Sequence, residues 1–155
     1  MRNITPFLWF DGKAEEAMLF YTSIFPNSKI TSTNYNRDEG ASDRQVITVS
    51  FEIQGQDFMA INGGPMFTFS PAISFFVNCE IQEEIDNLWE KLSEGGEKSR
   101  CGWLKDKYGI SWQIVPTILG ELLGDSDPVK SGRVMQAMLT MDKLDIDGLK
   151  RAYEQ

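Results

Sequence analysis

The chain of 155 residues contains no histidine. That single absence excludes a Ser-His or Cys-His catalytic pair, because neither nucleophile could be activated by an imidazole. It also removes imidazole ligation of zinc, iron or nickel, leaving only carboxylates, thiolates, amides and water as conceivable metal ligands. Cysteine is almost as scarce: Cys79 and Cys101 lack CxxC spacing and are too few for a disulfide scaffold. No apolar run reaches the roughly 18 residues that a membrane span requires. Positive charge is short too, with 15 Lys and Arg against 23 Asp and Glu and a net charge of −8. Such a surface repels phosphate backbones and anionic lipid, so neither nucleic acid nor a membrane is expected as a partner. The opening "MRNITPFLWFDG" lacks the apolar stretch and small-residue cleavage site of a signal peptide. A cytoplasmic, reduced protein is the expectation.

What is present reads as a globular chain, 41% hydrophobic and 12% aromatic. "ITPFLWF" (Ile4 to Phe10) has the character of a strand, closed by Asp11-Gly12. "KAEEAMLFYTSIF" then sets Ala14, Ala17, Met18, Tyr21, Ile24 and Phe25 at helical spacing, with Glu15 and Glu16 in its first turn and Pro26-Asn27 as the stop. "KITSTNYN" (Lys29 to Asn36) reads as a second strand, followed by the polar loop "RDEGASD". In "QVITVSFEIQGQDFMAING" the period is two: Ile47, Val49, Phe51 and Ile53 alternate with Val46, Thr48, Ser50 and Glu52. One face is therefore core, and the other is polar or lines a cavity. Gln54-Gly55 is the expected turn.

The pattern then restarts. "AISFFVNCE" (Ala72 to Glu80) is strand-like, and "IQEEIDNLWEKLSEGG" is an amphipathic helix closed by Gly95-Gly96. Sliding the chain by 68 positions places Phe7, Leu8 and Trp9 on Phe75, Phe76 and Val77. The same shift brings Glu15-Glu16 onto Glu83-Glu84, Tyr21 onto Trp89 and Ile24 onto Leu92. The register predicts a duplicated unit. The remaining strands of the second half fall in "EKSRCGWLKDKYGISWQIVP", with a tight turn at Asp106 to Gly109 and "SWQIVP" as the closing strand. Alternation there puts Trp112 and Ile114 on one face and Ser111, Gln113 and Val115 on the other. The tail reads as a helix from Pro128 to about Met141 and a short second helix.

Several residues invite a chemical reading. Cys101 has only Arg100, Lys98 or Lys105 to lower its pKa, so the reading as a small structural residue in a strand prevails. Trp112 alternates with Ile114 and is expected in the core, whereas Trp9 and Trp103 are open between core and cavity. Asn62 and Gln113 interrupt apolar strands with amides that need partners, either backbone or ligand. "NGGP" (Asn62 to Pro65) could present backbone N–H groups to an anion, although a strand-exit loop explains it equally. The Met135, Met138 and Met141 series fits packing or a dimer contact. No Gly-rich turn follows the first strand, so a nucleotide-type methyl donor has no recognisable cradle.

Taken together, "TPFLWFDGKAEEAMLFYTSIFPNSKI", "NGGP", "RCGWLKDKYGISWQIVP" and "RVMQAMLTMDKLDI" resemble the PhnB-like, 3-demethylubiquinone-9 3-methyltransferase-like family. That family belongs to the vicinal oxygen chelate superfamily of glyoxalases, dioxygenases and bleomycin-resistance proteins. The resemblance runs nearly end to end. It implies an α+β fold of two βαβββ modules, each a half-open sheet curling around a cavity, often in a homodimer. Module boundaries follow at about 1–66 and 70–116 within one domain spanning 1–155, with a C-terminal helical tail at 117–155. The superfamily's enzymes usually hold a divalent metal through His and Glu. Here Thr5 and Phe7, Ile73 and Ser74, Met66 and Gln113 occupy the neighbourhoods of those ligands.

The expectation is thus a metal-free, cofactor-free small-molecule binding protein of unidentified ligand. Its candidate ligand-binding residues are Trp9, Thr48, Ser50, Asn62, Trp103 and Gln113, with no catalytic or metal-ligating residue assigned. An enzyme of glyoxalase or dioxygenase type with an atypical metal site, and the methyltransferase of the family label, stand as alternatives.

Overall fold

A computed structural model of the chain describes residues 4–37, 40 and 43–155. The loop "RDEGASD" lies largely outside the described residues. The chain divides into two compact units, Met1–Thr68 and Phe69–Gln155. Each unit carries one four-stranded mixed sheet and a crossover helix, which is the duplicated βαβββ arrangement in an α+β chain; neither sheet closes into a barrel.

In the first unit the elements are β1 (Phe7–Phe10), α1 (Ala14–Ile24), β2 (Ser28–Tyr35), β3 (Val46–Ile53) and β4 (Gln56–Asn62). The sheet order is β1-β4-β3-β2, with β1 parallel to β4 and the other pairs antiparallel. The β3–β4 turn falls at Gln54-Gly55, both at positive φ (47° and 82°), as the right-handed twist of a two-residue hairpin demands. One sheet face is core: Leu8, Phe10, Val49, Phe51, Ile53, Phe58 and Ala60 are buried beside Ala14, Ala17, Met18, Tyr21 and Ile24 of α1. Phe51 stacks on Phe58 at 5.4 Å and on Tyr21 at 6.4 Å between ring centroids. Ile47, assigned to the core face by alternation, is 41% exposed near the start of β3, beyond that packed layer.

The second unit contains β5 (Ser74–Cys79), α2 (Gln82–Ser93), β6 (Glu97–Lys98), β7 (Trp103–Lys105), β8 (Ser111–Pro116), α3 (Thr117–Leu123), α4 (Pro128–Leu139) and α5 (Ile146–Glu154). Its sheet order, β5-β8-β7-β6, repeats that of the first. Trp112, Ile114 and Leu104 are buried on the face that α2 covers. The Lys98 ammonium, two residues along the ladder, reaches Glu90 of α2 on that side at 2.8 Å. A second apolar cluster joins Val115 to Leu119, Leu122, Val134, Leu144 and Leu149 of the tail.

Three expectations need correction. The gap-free shift of 68 holds for the helices, where Tyr21 and Trp89 are both buried, but not for the leading strands. Phe10 and Cys79 each end their strand buried, and three residues separate β1 from α1 where only Glu80 and Ile81 separate β5 from α2. One residue fewer in that loop shifts the strand match by one, so Phe7 corresponds to Phe76 rather than Phe75. A slip of one exchanges the two faces of a strand. Secondly, Cys101 is not in a strand; it sits in a turn at φ 56°, its amide donating to the Met141 carbonyl at 2.9 Å. Thirdly, the tail holds three helices, because "TILGELL" forms α3 directly after β8. The helix expected from Pro128 begins there, with Pro128 in its first turn and the Asp127 carboxylate accepting from the Val129 amide at 2.9 Å.

Candidate functional site

The core faces leave two open sheet faces, one per unit, the second covered at its Val115 end by the apolar cluster of the tail. On the first, the ladder sets Trp9 beside Ile61, Ile61 beside Thr48 and Thr48 beside Asn34. One step along lie Phe7, Met59, Ser50 and Ser32. Trp9 therefore shares a face with Thr48 and Ser50, which alternation had already set together. The Trp9 indole N–H donates to the Gly64 carbonyl at 2.9 Å, and its ring meets Phe67 edge-on at 5.0 Å. Gly63 lies flat against it: a Cβ at that position would sit 2.3 Å from a carbon of the indole ring. "NGGP" is thus a strand-exit loop that seats Trp9, with the Gly63 amide already donating to Phe10. Thr48 accepts a hydrogen bond from Asn34 Nδ2 at 3.0 Å. The Ser50 side chain hydrogen-bonds to no described residue. No fully buried side-chain polar atom lacks a partner among the described residues, so its hydroxyl opens to solvent.

Asn62 lies in the opposite phase of β4. Its Oδ1 accepts from the Ala14 amide at 2.8 Å and its Nδ2 donates to the Val46 carbonyl at 3.0 Å. Lys13, at the cap of α1, offers no side-chain acceptor, so an amide from another strand satisfies the first turn of the helix. Of the two partners open to Asn62, backbone takes both ends of the amide.

On the second open face Gln113 stands in the ladder between Phe76 on β5 and Trp103 on β7. Its Nε2 donates to Ser74 Oγ at 2.9 Å. Trp112 points the other way and is 3% exposed. The turn between β7 and β8 hangs on a residue that sequence reasoning treated only as a turn former. Asp106 is 2% exposed, and its carboxylate accepts from the Tyr108 amide (2.8 Å), the Ile110 amide (3.0 Å) and the Trp112 indole N–H (2.9 Å). An Asp opening a tight turn, six residues before the tryptophan of the next strand, is the only sequence signal for this. Phe76 was also missed, because the shift of 68 set β5 in the wrong phase, and Ser74 was placed only in the neighbourhood of a superfamily metal ligand, not beside Gln113.

The cysteines offer no nucleophile. Burial, followed by the nearby Glu84 and Glu80 carboxylates, pushes the Cys79 thiol up to about 12. Cys101 lies against the Met138 carbonyl at 3.5 Å. Nor do the donors suit a metal: among the described residues no three His, Cys, Asp or Glu side chains gather where they could hold one. Gln113, at the place of the usual closing-strand carboxylate, has its amide turned to Ser74. A neutral amide is a poor ligand beside the thiolates, imidazoles and carboxylates that hold divalent ions.

Comparison with known proteins adds a family and a fold. The family described as 3-demethylubiquinone-9 3-methyltransferase matches residues 2–115. The quoted stretch "RVMQAMLTMDKLDI" falls beyond that match, which takes in both sheets but not α3 to α5. A solved Bacillus cereus protein, described as a putative 3-demethylubiquinone-9 3-methyltransferase and PhnB protein, is 43% identical. The alignment covers 75% of this chain and 100% of that one, with a TM-score of 0.68. A Pseudomonas aeruginosa protein at 19% identity covers 75% of this chain and 98% of its own, TM-score 0.62. The fosfomycin resistance protein FosX of Listeria monocytogenes, at 17% identity, covers 80% and 98%, TM-score 0.56. These last two share the fold alone. No curated protein matches the chain.

Proposed function

The chain belongs to the PhnB-like, 3-demethylubiquinone-9 3-methyltransferase family of the vicinal oxygen chelate superfamily, and from that premise we propose that it is a metal-free small-molecule binding protein. The observation that carries this reading is the furnishing of the open sheet faces. Each combines exposed aromatic surface with neutral polar groups (Trp9, Thr48 and Ser50 on one; Trp103 and Gln113 on the other), and among the described residues neither gathers three His, Cys, Asp or Glu side chains that could hold a metal. Aromatic walls with a few placed polar groups are what a ligand pocket requires. Asn62 supports this arrangement indirectly, by anchoring α1.

Methyl transfer rests on the family description only, since no Gly-rich turn after β1 could cradle a nucleotide-type donor. We also assign a homodimer in the cytoplasm. The reason for the dimer is exposed apolar surface: Phe7, Met66 and Phe67 are 51%, 76% and 58% exposed.

The deciding experiment is a panel of neutral and charged fragments titrated into 15N-labelled protein. Shifts concentrated on Trp9, Thr48, Ser50, Trp103 and Gln113 are expected; a panel that moves none of these overturns the reading. Elemental analysis of the purified protein should find no stoichiometric transition metal, and near one equivalent per chain would favour the metal-dependent alternative. Light scattering should give twice the 17.6 kDa chain mass.

A further inference from the structure

We propose that the Phe76–Gln113–Trp103 row of the second unit is a subsite for a neutral, planar molecule bearing a cyclic amide edge, a lactam or ureide; this rests on the small-molecule-binding reading above. Three observations on one row carry it. Gln113 is oriented by its bond from Nε2 to Ser74 Oγ, which leaves Oε1 as an acceptor with no partner among the described residues. Trp103, its neighbour across the β7–β8 ladder, makes no side-chain hydrogen bond to any described residue, so its indole N–H is a donor without an acceptor. Neither atom is sealed in, because no buried side-chain polar atom lacks a partner among the described residues. Phe76, on the other flank of Gln113, leaves its ring 55% exposed. An acceptor and a donor on adjacent strands, beside a bare aromatic ring, complement a flat ligand whose rim offers an N–H and a carbonyl.

Charge narrows the class further. On this face β5 and β8 contribute Ser74, Phe76, Asn78, Ser111, Gln113 and Val115, none of them ionisable. The charges that β6 and β7 turn to this face are Glu97 and Lys105, which face each other across the exposed β6–β7 edge, while Lys98 belongs to the opposite face with Glu90. Arg100 and Asp142 lie on flanking turns, also exposed. A ligand charge brought onto the row would lose its water without gaining a counter-charge. A neutral amide edge loses only hydrogen bonds that Gln113 and Trp103 replace.

The test titrates three probes into the 15N-labelled full chain: quinolin-2-one, N-methylquinolin-2-one and quinoline-2-carboxylate. Quinolin-2-one should shift the Trp103 indole and Gln113 side-chain signals, with an affinity constant between about pH 6 and 9, where no group on the row titrates. Methylation of its nitrogen should weaken binding about tenfold, the worth of one hydrogen bond. Gln113→Leu should abolish that difference. Trp103→Phe, which keeps an aromatic ring and removes the N–H, should weaken both lactams alike. Carboxylate binding on the row as tight as the lactam would overturn the ligand class and leave the binding reading standing. So would a Gln113→Leu protein that still discriminates against the N-methyl probe. Silence from all three probes overturns the lactam proposal alone, since the fragment panel decides the wider reading.

Discussion

The two units build the same sheet order from very different lengths of strand. In the first, β2 and β3 run eight residues each and pair along almost their whole length. In the second, the corresponding β6 and β7 have two and three residues. A long ladder holds itself by main-chain bonds and cross-strand pairs. A pair this short cannot, and isolated hairpins are marginal even at greater length. The second unit replaces ladder with side chains and with chain from far away. Asp106 gathers three donors at the turn, the Gly102 amide donates to the Asp142 carbonyl at 2.7 Å, and Gly96 packs so closely that a Cβ there would lie 2.1 Å from the Lys105 carbonyl. The open face of the first unit is thus framed by regular strands. That of the second depends on a few irregular contacts, and Trp103 sits among them.

The sharpest break of this comparison lies at the β7–β8 turn. Trp112→Ala should cost about 3–5 kcal/mol, the usual penalty for emptying a large aromatic site. Asp106→Ala should cost about 3 kcal/mol or more, since it strands two backbone amides and the Trp112 indole in a buried turn. The matching control in the long ladder is Asn34→Ala, which removes an exposed bond to Thr48 and should cost under about 0.5 kcal/mol. Urea midpoints decide it. Equal losses at Asp106 and Asn34 would mean the short hairpin is held by its ladder after all.

Asn62→Ala comes next in size, at about 1–2 kcal/mol, because α1 would lose the group that satisfies its first turn. Asn62→Asp should recover part of the loss: it keeps the acceptor for the Ala14 amide and gives up only the donor to Val46. Chemical denaturation of the pair separates this structural role from a ligand contact, which would alter binding without moving the midpoint.

The strands, the first two helices and both hairpin turns were legible because period two and period 3.6 are set by burial on one face. The phases of Gln113 and Trp112 followed from the same rule, and so did the shared face of Thr48 and Ser50, whereas the side of Trp9 stayed open until the ladder set it beside Ile61. What escaped has a common physical origin in contacts between residues distant along the chain. Asn62 looks identical in sequence whether its amide meets a ligand or the amide of Ala14, 48 residues earlier. The burial of Asp106 depends on the folding back of Trp112. The one-residue slip of β5 depends on a loop length that no periodicity records. Cys101 adopts its left-handed backbone because Met141 and Asp142 receive its amide and the next one.

Gln113→Leu sharpens the comparison at the level of binding rather than stability. The amide's one bond is to Ser74 on a half-buried face, so its loss should cost less than about 1.5 kcal/mol. Binding of any ligand on the second open face should change, while shifts at Trp9 and Ser50 should not. A large fall in the denaturation midpoint would instead make Gln113 a strut of the sheet.

The smallest effect concerns acid. The Lys143 ammonium, 2.8 Å from Asp86, holds that carboxyl below its usual range, aided by Gln82. The Asp127 amide, and after it the Tyr153 hydroxyl, do the same for Asp125. A carboxyl whose pKa is lower folded than unfolded stabilises the fold above its unfolded value, and the contribution fades as pH falls through the folded one. The loss therefore belongs below about pH 4, where an unperturbed Asp begins to protonate. All of these groups lie in the second unit, four of them in the tail, and Asp86 and Lys143 are substantially exposed, so water screens the pair. Lys143→Ala should leave stability at neutral pH almost unchanged and flatten the acid limb slightly. Hydrogen exchange across an acid titration should register the first opening at α4 and α5, with β2 and β3 unaffected. Opening that began in the long ladder of the first unit would show that the second unit's irregular contacts are the stronger of the two.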